Sequence, residues 1–379
     1  MTPAPRGKAL LGASAPELET LAVELGCPRF RGRQLYEAIY ERRLPSFAEV
    51  SSLPSSLRAE LDAAYCLTRP HVEQVAVSSD GTRKYRFVAD DGAAFEAVYI
   101  PEVARDTRTH TLCISSQTGC VLGCKFCFTA SLRHGRDLSA AEILGQVLAV
   151  DADVTAALGA EAKVSNIVFM GMGEPLLNFD AVVRSAARLI EPDGLGFASR
   201  HVTISTSGIV PRLAELGRAL PTHLAVSLNA TTDEVRTRIM PINKKWPLAE
   251  LLAALRAYPL LPRRRITIEY VLLGGVNDSL DDARRLPRLL TGIPVKINLL
   301  PLNAHERTEF TPPAPAAVDR FQAELRKAGL NTLRRTPRGQ DIAAACGRLG
   351  EADPLLGARA EAHGDETADS AALVRHRDA

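Results

Sequence analysis

The sequence has no long hydrophobic run. Although 46% of its 379 residues are hydrophobic, no segment approaches the roughly 20 apolar residues that a membrane-spanning helix needs. The first 26 residues carry acidic side chains where a signal peptide would need an apolar core. These two absences predict a cytoplasmic protein that does not contact the membrane.

An even set of well-separated cysteines, which would indicate disulfides, is also missing. The chain has seven cysteines, an odd number, and three of them lie between Cys120 and Cys127. Paired disulfides in an oxidising compartment would not give this pattern. The pattern predicts a reducing compartment and a metal site.

A strong net charge is missing too, since the formal charge of +2 is too small to indicate a nucleic-acid partner by itself. The charge is uneven, because residues 351–379 hold seven acids and three bases, a balance of −4 that leaves +6 on residues 1–350. Basic residues form clusters that can neutralise phosphates, and each cluster is equally consistent with a solvated surface. The clusters are Arg29, Arg31 and Arg33; Arg42 and Arg43; Lys244 and Lys245; Arg263, Arg264 and Arg265; and Arg334, Arg335 and Arg338.

Different patterns follow one another along the chain. Residues 1–70 have helical apolar spacing, and residues 71–105 alternate like strands around an Asp-Asp-Gly turn. Residues 106–339 alternate six short apolar runs with five helical stretches, which predicts a parallel sheet with right-handed crossovers. Residues 340–379 form a C-terminal segment, and the composition of its last 29 residues predicts disorder.

Six strands are too few for a closed eight-stranded barrel. The sequence therefore predicts an α/β fold built as an open six-stranded (βα)6 partial barrel, with its ligands at the C-terminal ends of the strands. A small helical module and a small linking β-sheet precede this core.

The strongest motif directly follows the first core strand and reads Gln117-Thr-Gly-Cys120-Val-Leu-Gly-Cys124-Lys-Phe-Cys127. Three thiolates can ligate three irons of a 4Fe–4S cluster, whereas a site made wholly of protein ligands would normally supply four cysteines. The open fourth iron is what a radical S-adenosylmethionine (SAM) enzyme needs to bind SAM. The alternative is a zinc site that recruits His134, but zinc commonly uses two separated pairs of ligands and no second pair is nearby.

Glycines and small polar residues follow the ends of later core strands. Met170-Gly-Met-Gly173-Glu174-Pro175 ends the second strand, where a carboxylate can accept hydrogen bonds from the ammonium of SAM. Ser205, the run Ser227-Leu228-Asn229 and Asn303 end the third, fourth and sixth strands. Any one of them could simply cap the next helix. Their recurrence along one edge of a sheet favours ligand binding.

Taken in order, these motifs closely resemble the RlmN family, the bacterial dual-specificity 23S rRNA and tRNA adenine-C2 methyltransferases. The resemblance extends from about Phe30 to Leu349. That family combines a helix-hairpin-helix-like N-terminal RNA-binding module, a small linking sheet and a radical SAM core. The segments that carry the resemblance are FRGRQLYEAIY, EAVYIPE, TLCISSQTGC, CKFC, GMGEPLLN, STSGIVP, SLNA, RIMPINKKW, TIEYVLL, INLLPLN and RRTPRGQDIAAACG.

The resemblance implies roles for particular residues. Cluster ligation is implied for Cys120, Cys124 and Cys127. Cys346 matches the cysteine that carries a methyl group, Cys113 the cysteine that resolves the covalent RNA intermediate, and Glu96 the proton acceptor. SAM contacts are implied for Gly173, Glu174, Ser205, Ser227, Leu228, Asn229 and Asn303.

The implied chemistry suits adenine C2, which has no usable nucleophilic lone pair and so cannot attack the methyl group of SAM. One SAM methylates the Cys346 thiolate, and a second is cleaved to a 5′-deoxyadenosyl radical that activates the S-methyl group for addition to C2. Cys113 then attacks Cys346 and forms a transient disulfide. The implied partners are 23S rRNA and tRNA with the target adenine unstacked, and a reductant such as flavodoxin or ferredoxin. The enzyme is expected to be a monomer.

Alternatives stay open at this point. Cys113 and Cys346 could be small core residues, as most lone cysteines are, and Glu96 could be an exposed strand acid. A Cfr-type adenine-C8 methyltransferase shares all five matched cysteines, and a non-catalytic Fe–S or zinc RNA-binding module is a reading from another class. The departures from the family pattern bear on the preference between rRNA and tRNA, and they are Phe128, Arg133, His134 and Asn229.

Overall fold

Helices form the N-terminal part of the chain. The structure is a computed structural model that describes residues 7–67, 69–101, 109–132 and 135–350. A capping box starts the first helix, since the Ser14 hydroxyl accepts from the Glu17 N–H at 3.4 Å and the Glu17 carboxylate accepts from the Ser14 N–H at 2.7 Å. The elements are α1 Ala15–Glu24, α2 Phe30–Tyr40 and α3 Ser55–Ala64, with a parallel pair of short strands, β1 Lys8–Ala9 and β2 Tyr65–Cys66. The predicted helices are present.

One mixed sheet forms the rest of the scaffold. Within the described residues it has ten strands arranged in chain order, antiparallel from β3 to β6 and parallel from β6 to β12. The strands are β3 His71–Val77, β4 Arg83–Val88, β5 Ala94–Ile100, β6 Thr111–Cys113, β7 Asn166–Phe169, β8 Val202–Thr206, β9 His223–Ser227, β10 Ile266–Leu272, β11 Val295–Pro301 and β12 Thr332–Arg334.

The predicted linking strands are continuous with the core sheet. β5 pairs with β6 through Val98 opposite Cys113 and Tyr99 opposite Leu112. β5 needs a neighbouring strand on both sides, because its residues 95–99 are all buried and an edge strand would expose one face. The predicted hairpin turn is also present, with Gly92 at a φ of +82°.

The core is the predicted open α/β assembly. All six predicted strands are present as β6 to β11, and a seventh, β12, pairs with β11 through Thr332 opposite Ile297. Among the described residues the sheet does not close on itself, because β3 and β12 each have one neighbour. The core helices are α4 Ala140–Leu158, α5 Phe179–Ile190, α6 Val210–Ala219, α7 Asp233–Ile239, α8 Leu248–Arg256, α9 Leu280–Leu289 and α10 Pro315–Lys327.

The segment 339–350, which contains Cys346, has no helix or strand and is held by hydrogen bonds to the hairpin strands. At its start Ser78 Oγ donates to the Asp341 carboxylate at 2.6 Å. At its end the Gly350 N–H donates to the Glu96 carboxylate at 2.9 Å. Cys346 therefore lies on a short irregular stretch with both ends fixed.

Some of the sequence predictions concern residues outside the described ranges. The predicted disordered tail, residues 351–379, is one, and the departures at Arg133 and His134 are others. No helix within the described ranges has the length and apolar character to cross a bilayer.

Candidate active site

An open cavity lies at the C-terminal ends of the parallel strands. It brings together nine of the residues that the sequence predicted, namely Cys120, Cys124, Cys127, Gly173, Glu174, Ser205, Ser227, Asn303 and Cys346. Cys113, Glu96, Leu228 and Asn229 are buried and do not line it. The cavity thus collects side chains from five parallel strands and from the C-terminal segment.

The loop that carries the three predicted cluster cysteines is fixed by its backbone. The Lys125 N–H donates to the Ile239 carbonyl at 2.9 Å, and the Cys127 N–H donates to the Cys124 carbonyl at 3.2 Å. Burial raises the pKa of all three thiols, and that of Cys120 to about 12. A bound iron reverses this preference for the neutral thiol, because the metal binds the thiolate.

The donor set fits an iron–sulfur cube. Three sulfur donors line one cavity, and thiolates are the usual ligands of such clusters. Across the described ranges, no three His, Cys, Asp or Glu side chains converge as ligands of one metal ion do. A cube does not require such convergence, because each thiolate binds a different iron.

The turn after β7 needs its glycines. Gly173 has a φ of +100°, and a Cβ there would lie 2.6 Å from the Cβ of Gln117. A Cβ on Gly171 would lie 2.6 Å from the Ser115 hydroxyl. The backbone of this turn therefore packs directly on the segment that leads to the cysteine loop.

Glu174 ties two strand ends together. It is 2% exposed, its Oε1 accepts from the Leu176 N–H at 3.0 Å, and its Oε2 accepts from the Ser207 N–H at 2.7 Å. Burial raises the pKa of this carboxyl, and the two N–H donors oppose the rise. Hydrogen bonds from the Thr206 and Ser207 side chains also lower the pKa of Glu174, and the predicted bond to the SAM amino group would add to these contacts.

Glu174→Ala is expected to lower the free energy of unfolding by about 1–3 kcal/mol for each of the two buried N–H groups that it leaves without an acceptor. It is also expected to weaken SAM binding. Denaturant unfolding and anaerobic SAM titration measure the two effects. Glu174→Gln is the matched control, because it keeps one acceptor oxygen and should lose less stability. Equal stability of the alanine variant and the parent would show that Glu174 does not stabilise the fold by linking the ends of two strands.

Asn229 and Leu228 stabilise the loop after β9 from buried positions outside the cavity lining. Asn229 has a φ of +58°, and its side-chain oxygen accepts from the Val271 N–H at 2.8 Å. Leu228 is fully buried. In this structure both residues fix the loop that presents Ser227 to the cavity, and a SAM contact by either stays a prediction.

Arg236 is a site residue that the sequence analysis missed. It is 1% exposed, and its guanidinium donates to the carbonyls of Ser207 at 2.8 Å and Leu228 at 3.0 Å and to the Asn243 side chain at 3.0 Å. Burial lowers its pKa to about 10. Arg236 thus joins the loops after β8 and β9 to the segment Pro241–Lys244, which contains Asn243. This contact gives the RIMPINKKW motif a structural role.

Cys346 lines the cavity, whereas Cys113 is buried outside its lining. Cys346 is exposed and lines the cavity, and its carbonyl accepts from the Asn303 amide at 3.0 Å. Cys113 is buried on β6, and burial, with a further contribution from nearby Cys346, raises its pKa to about 12. Arg335 opposes that rise, and the charge of Cys346 is the largest cause of the raised pKa of Arg335. The two thiols and one guanidinium therefore share one electrostatic environment.

Glu96 is buried rather than exposed, which removes the exposed-acid alternative. It is 4% exposed, its Oε1 lies 3.8 Å from Lys84 Nζ and its Oε2 accepts from the Gly350 N–H. Lys84 lies two residues from the cross-strand partner of Glu96, Arg86, and so shares its face of the sheet. No local sequence pattern predicts this buried ion pair.

Lys84→Met is expected to lower the free energy of unfolding by about 3–5 kcal/mol, because it removes the cation that faces a buried carboxylate. Adding Glu96→Gln to Lys84→Met is expected to restore much of that loss. Denaturant unfolding of both single variants and the double variant gives the coupling between the two residues. Additive losses would show that the pair does not act as a unit.

The fold and cavity first define a class. An open parallel α/β core with three cysteines after its first parallel strand and a glycine-rich turn after its second is the arrangement of radical SAM enzymes. The sequence model of the radical SAM superfamily matches residues 114–286. That of the ribosomal RNA large subunit methyltransferase N-terminal domain matches residues 8–67.

Individual relatives then identify the family. The chain is 51% identical over 345 residues to a protein of Geobacter sulfurreducens and 48% identical over 333 residues to one of Geotalea uraniireducens, both named dual-specificity RNA methyltransferase RlmN. These alignments cover 91% and 88% of this chain and 92% and 94% of those proteins. The crystal structure of a radical SAM methyltransferase from Sphaerobacter thermophilus superposes with a TM-score of 0.84 at 38% identity, covering 90% of this chain and 99% of that one. The chain belongs to the RlmN family.

The protein is therefore an enzyme, a radical SAM methyltransferase, and its family implies a 4Fe–4S cluster and SAM. The non-catalytic module is set aside. The relatives do not favour the Cfr-type alternative either.

Proposed function

We propose that this enzyme methylates C2 of an adenine in 23S rRNA and in tRNA, within a reducing cytoplasm and as a monomer. In this proposal Cys120, Cys124 and Cys127 hold the cluster. SAM binds across Gly173, Glu174, Ser205, Ser227, Leu228, Asn229 and Asn303. A small reductant protein such as flavodoxin or ferredoxin supplies electrons.

The convergence of four cysteines on one cavity carries the proposal. The three thiols of the CxxxCxxC loop and the thiol of Cys346 line the same space, although Cys346 lies 219 positions after Cys127 in the chain. Cys113, the fifth matched cysteine, is near enough to Cys346 for the charge of Cys346 to contribute to the raised pKa of Cys113. A packing role for Cys346 is disfavoured, because its side chain is exposed in the cavity.

A 4Fe–4S cluster held by Cys120, Cys124 and Cys127 would supply the electron for the reductive cleavage of SAM. The Cys346 sulfur first takes a methyl group from one SAM, which leaves as S-adenosylhomocysteine. One hydrogen atom of the S-methyl group then passes to the 5′-deoxyadenosyl group cleaved from a second SAM, which becomes 5′-deoxyadenosine. The remaining CH2 group bonds to adenine C2, and the adduct gives one electron back to the redox centre. Glu96 accepts the C2 proton. The Cys113 thiolate then attacks the Cys346 sulfur. The sulfur–sulfur bond forms as the carbon–sulfur bond breaks, and the released carbon takes up a proton to become the methyl group of the base. A reductant resets the two thiols.

Arg335 supports both sulfur steps in this proposal. A nearby cation stabilises a thiolate, which is the nucleophilic form of cysteine, and the charges of Cys346 and, less strongly, of Cys113 raise the pKa of Arg335. Glu96 is tied to the same segment, because the Gly350 N–H that binds its carboxylate is four residues after Cys346. The proton acceptor and the methyl carrier are thus held in a common arrangement.

RNA recognition is assigned to the N-terminal module and the basic clusters. On α2, Phe30 is 54% exposed, and the Arg31 guanidinium carbon lies 4.7 Å from the centroid of its ring. An exposed aromatic and a guanidinium offer stacking surfaces for an unpaired base. Some clusters are partly neutralised, since Arg29 pairs with Glu19 at 2.7 Å and Arg334 with Asp319 at 3.0 Å.

Nucleoside analysis of cells that lack this protein tests the proposal. Ribosomal RNA and tRNA are purified separately, digested and compared with standards for 2-methyladenosine and 8-methyladenosine by mass spectrometry. The expected result is loss of 2-methyladenosine from both pools and its return when the gene is restored. Loss of the C8 isomer, or no change in either pool, would contradict the proposal.

A further inference from the structure

Glu269 is a buried acid of the cavity for which the proposed chemistry gives no role. It lies in the middle of β10, is 5% exposed and lines the cavity together with the cluster cysteines and Cys346. Its Oε1 accepts from the Asn298 amide at 2.8 Å. Its Oε2 has no hydrogen-bond partner among the described residues. A buried carboxylate oxygen without a donor is costly, which indicates that a ligand in the cavity supplies the donor.

Strand register places Glu269 beside a predicted ligand contact. Glu269 is the register partner of Ser227 on β9 and of Asn298 on β11. Side chains at one level of neighbouring parallel strands lie on the same face of the sheet, and Ser227 also lines the cavity. A ligand that contacts Ser227 therefore lies within reach of Glu269. This step rests on the proposed function, in which that ligand is SAM.

The chemistry of SAM indicates which of its groups donates a hydrogen bond to the Oε2 atom of Glu269. Its amino group and carboxylate bind the open iron, and its adenine amino group can be met by backbone carbonyls. Its ribose has two hydroxyls that need acceptors, and carboxylates are common acceptors for ribose hydroxyls in nucleotide-binding α/β folds. Burial raises the pKa of Glu269, whereas Arg335, Asn298 and Lys296 act in the opposite direction and favour the acceptor form.

We propose that Glu269 accepts a hydrogen bond from a ribose hydroxyl of SAM through its Oε2 atom. Asn298 holds the carboxylate in position through the other oxygen. Glu269 is then a binding residue that selects the ribonucleoside form of the ligand and fixes the sugar against β10.

Binding of S-adenosylhomocysteine and its 2′-deoxy and 3′-deoxy analogues tests the proposal without turnover. Calorimetry is done anaerobically on cluster-loaded parent protein and on Glu269→Gln, which keeps the side-chain volume and an acceptor for Asn298. S-adenosylhomocysteine has no sulfonium charge, so a change in its affinity does not report that charge. We expect Glu269→Gln to bind it roughly 10- to 100-fold more weakly. The analogue that lacks the bonded hydroxyl should bind parent and variant equally.

Glu142→Gln is the matched control, because Glu142 lies on α4 and does not line the cavity. Its affinity for S-adenosylhomocysteine should equal that of the parent. If Glu269→Gln does not load the cluster, Glu269→Asp gives the same comparison, because it keeps the charge and withdraws it by one methylene.

Parent-like affinity of the Glu269 variant would overturn the proposal. An equal loss for all three ligands would also overturn it, because the carboxylate would then not act through the ribose. A parent protein that binds neither SAM nor S-adenosylhomocysteine would overturn the proposed function as well as this inference.

Discussion

Cys113→Ala is expected to leave the enzyme covalently attached to RNA. Cys346 still takes a methyl group and still forms its bond to the base, but the sulfur that breaks this bond is missing. Protein purified from cells should therefore migrate as two species on a denaturing gel, and nuclease treatment should convert the slower one to the faster. Methylated RNA should fall below detection, since each enzyme molecule stops after one addition.

Two further variants separate this result from a packing effect. Cys346→Ala and the double variant should show no slow species, because the carrier sulfur is absent. Cys66→Ala is the control for a lone cysteine, since its thiol contacts the Gly7 carbonyl at 3.1 Å, outside the cavity. It should stay active. A packing role for Cys113 predicts only a stability loss of about 1–3 kcal/mol and no attached RNA. An inactive Cys113→Ala protein free of RNA would remove the resolving role.

Cys124→Ala, like Cys120→Ala or Cys127→Ala, is expected to abolish SAM cleavage. The cluster needs three cysteine ligands, one for each of three irons, and the variant keeps only two. It should therefore lose most of its iron after anaerobic reconstitution. Iron content, the visible absorption of the cluster and 5′-deoxyadenosine formation measure the effect. The parent should hold four irons per chain.

Cys27→Ala is the matched control for the cluster variants. Cys27 packs at the edge of the hydrophobic core and does not line the cavity. Its replacement should leave iron content and SAM cleavage at the parent level. A single cluster-loop variant that kept a full cluster and the parent rate of 5′-deoxyadenosine formation would show that the ligand assignment is wrong.

The core strands and the cysteine loop could be predicted because their signals are local. Cys120, Cys124 and Cys127 lie within eight residues, and the turn at Gly173 needs glycine for a reason that a short segment reveals. Apolar runs separated by helical stretches were enough to predict an open parallel sheet. The continuity of β5 with β6 was harder, because pairing between segments depends on which faces are buried.

The buried charges could not be predicted, because their partners are distant in the sequence. Arg236 binds the carbonyl of Ser207, 29 residues away, and nothing in a helical segment distinguishes it from a surface arginine. Lys84 and Glu269 lie on strands, and only the packed sheet shows which side chain each of them faces. The structural role of Asn229 was also missed, since its side-chain oxygen accepts a hydrogen bond from the Val271 N–H on another strand, while its predicted SAM contact stays a prediction.

The two fixed ends of the segment 339–350 set how far its sulfur can travel. Cys346 is five residues from the anchor at Asp341 and four from the anchor at Gly350. Extended backbone spans at most about 3.5 Å per residue, so the segment between Cys346 and the anchor at Gly350 can extend over roughly 14 Å at most. If Cys346 carries the methyl group, as we propose, an adenine that stays stacked in a helix would be out of its reach. We therefore expect an RNA that binds tightly without releasing this base to inhibit methylation, and we expect flexible RNA loops to be better substrates.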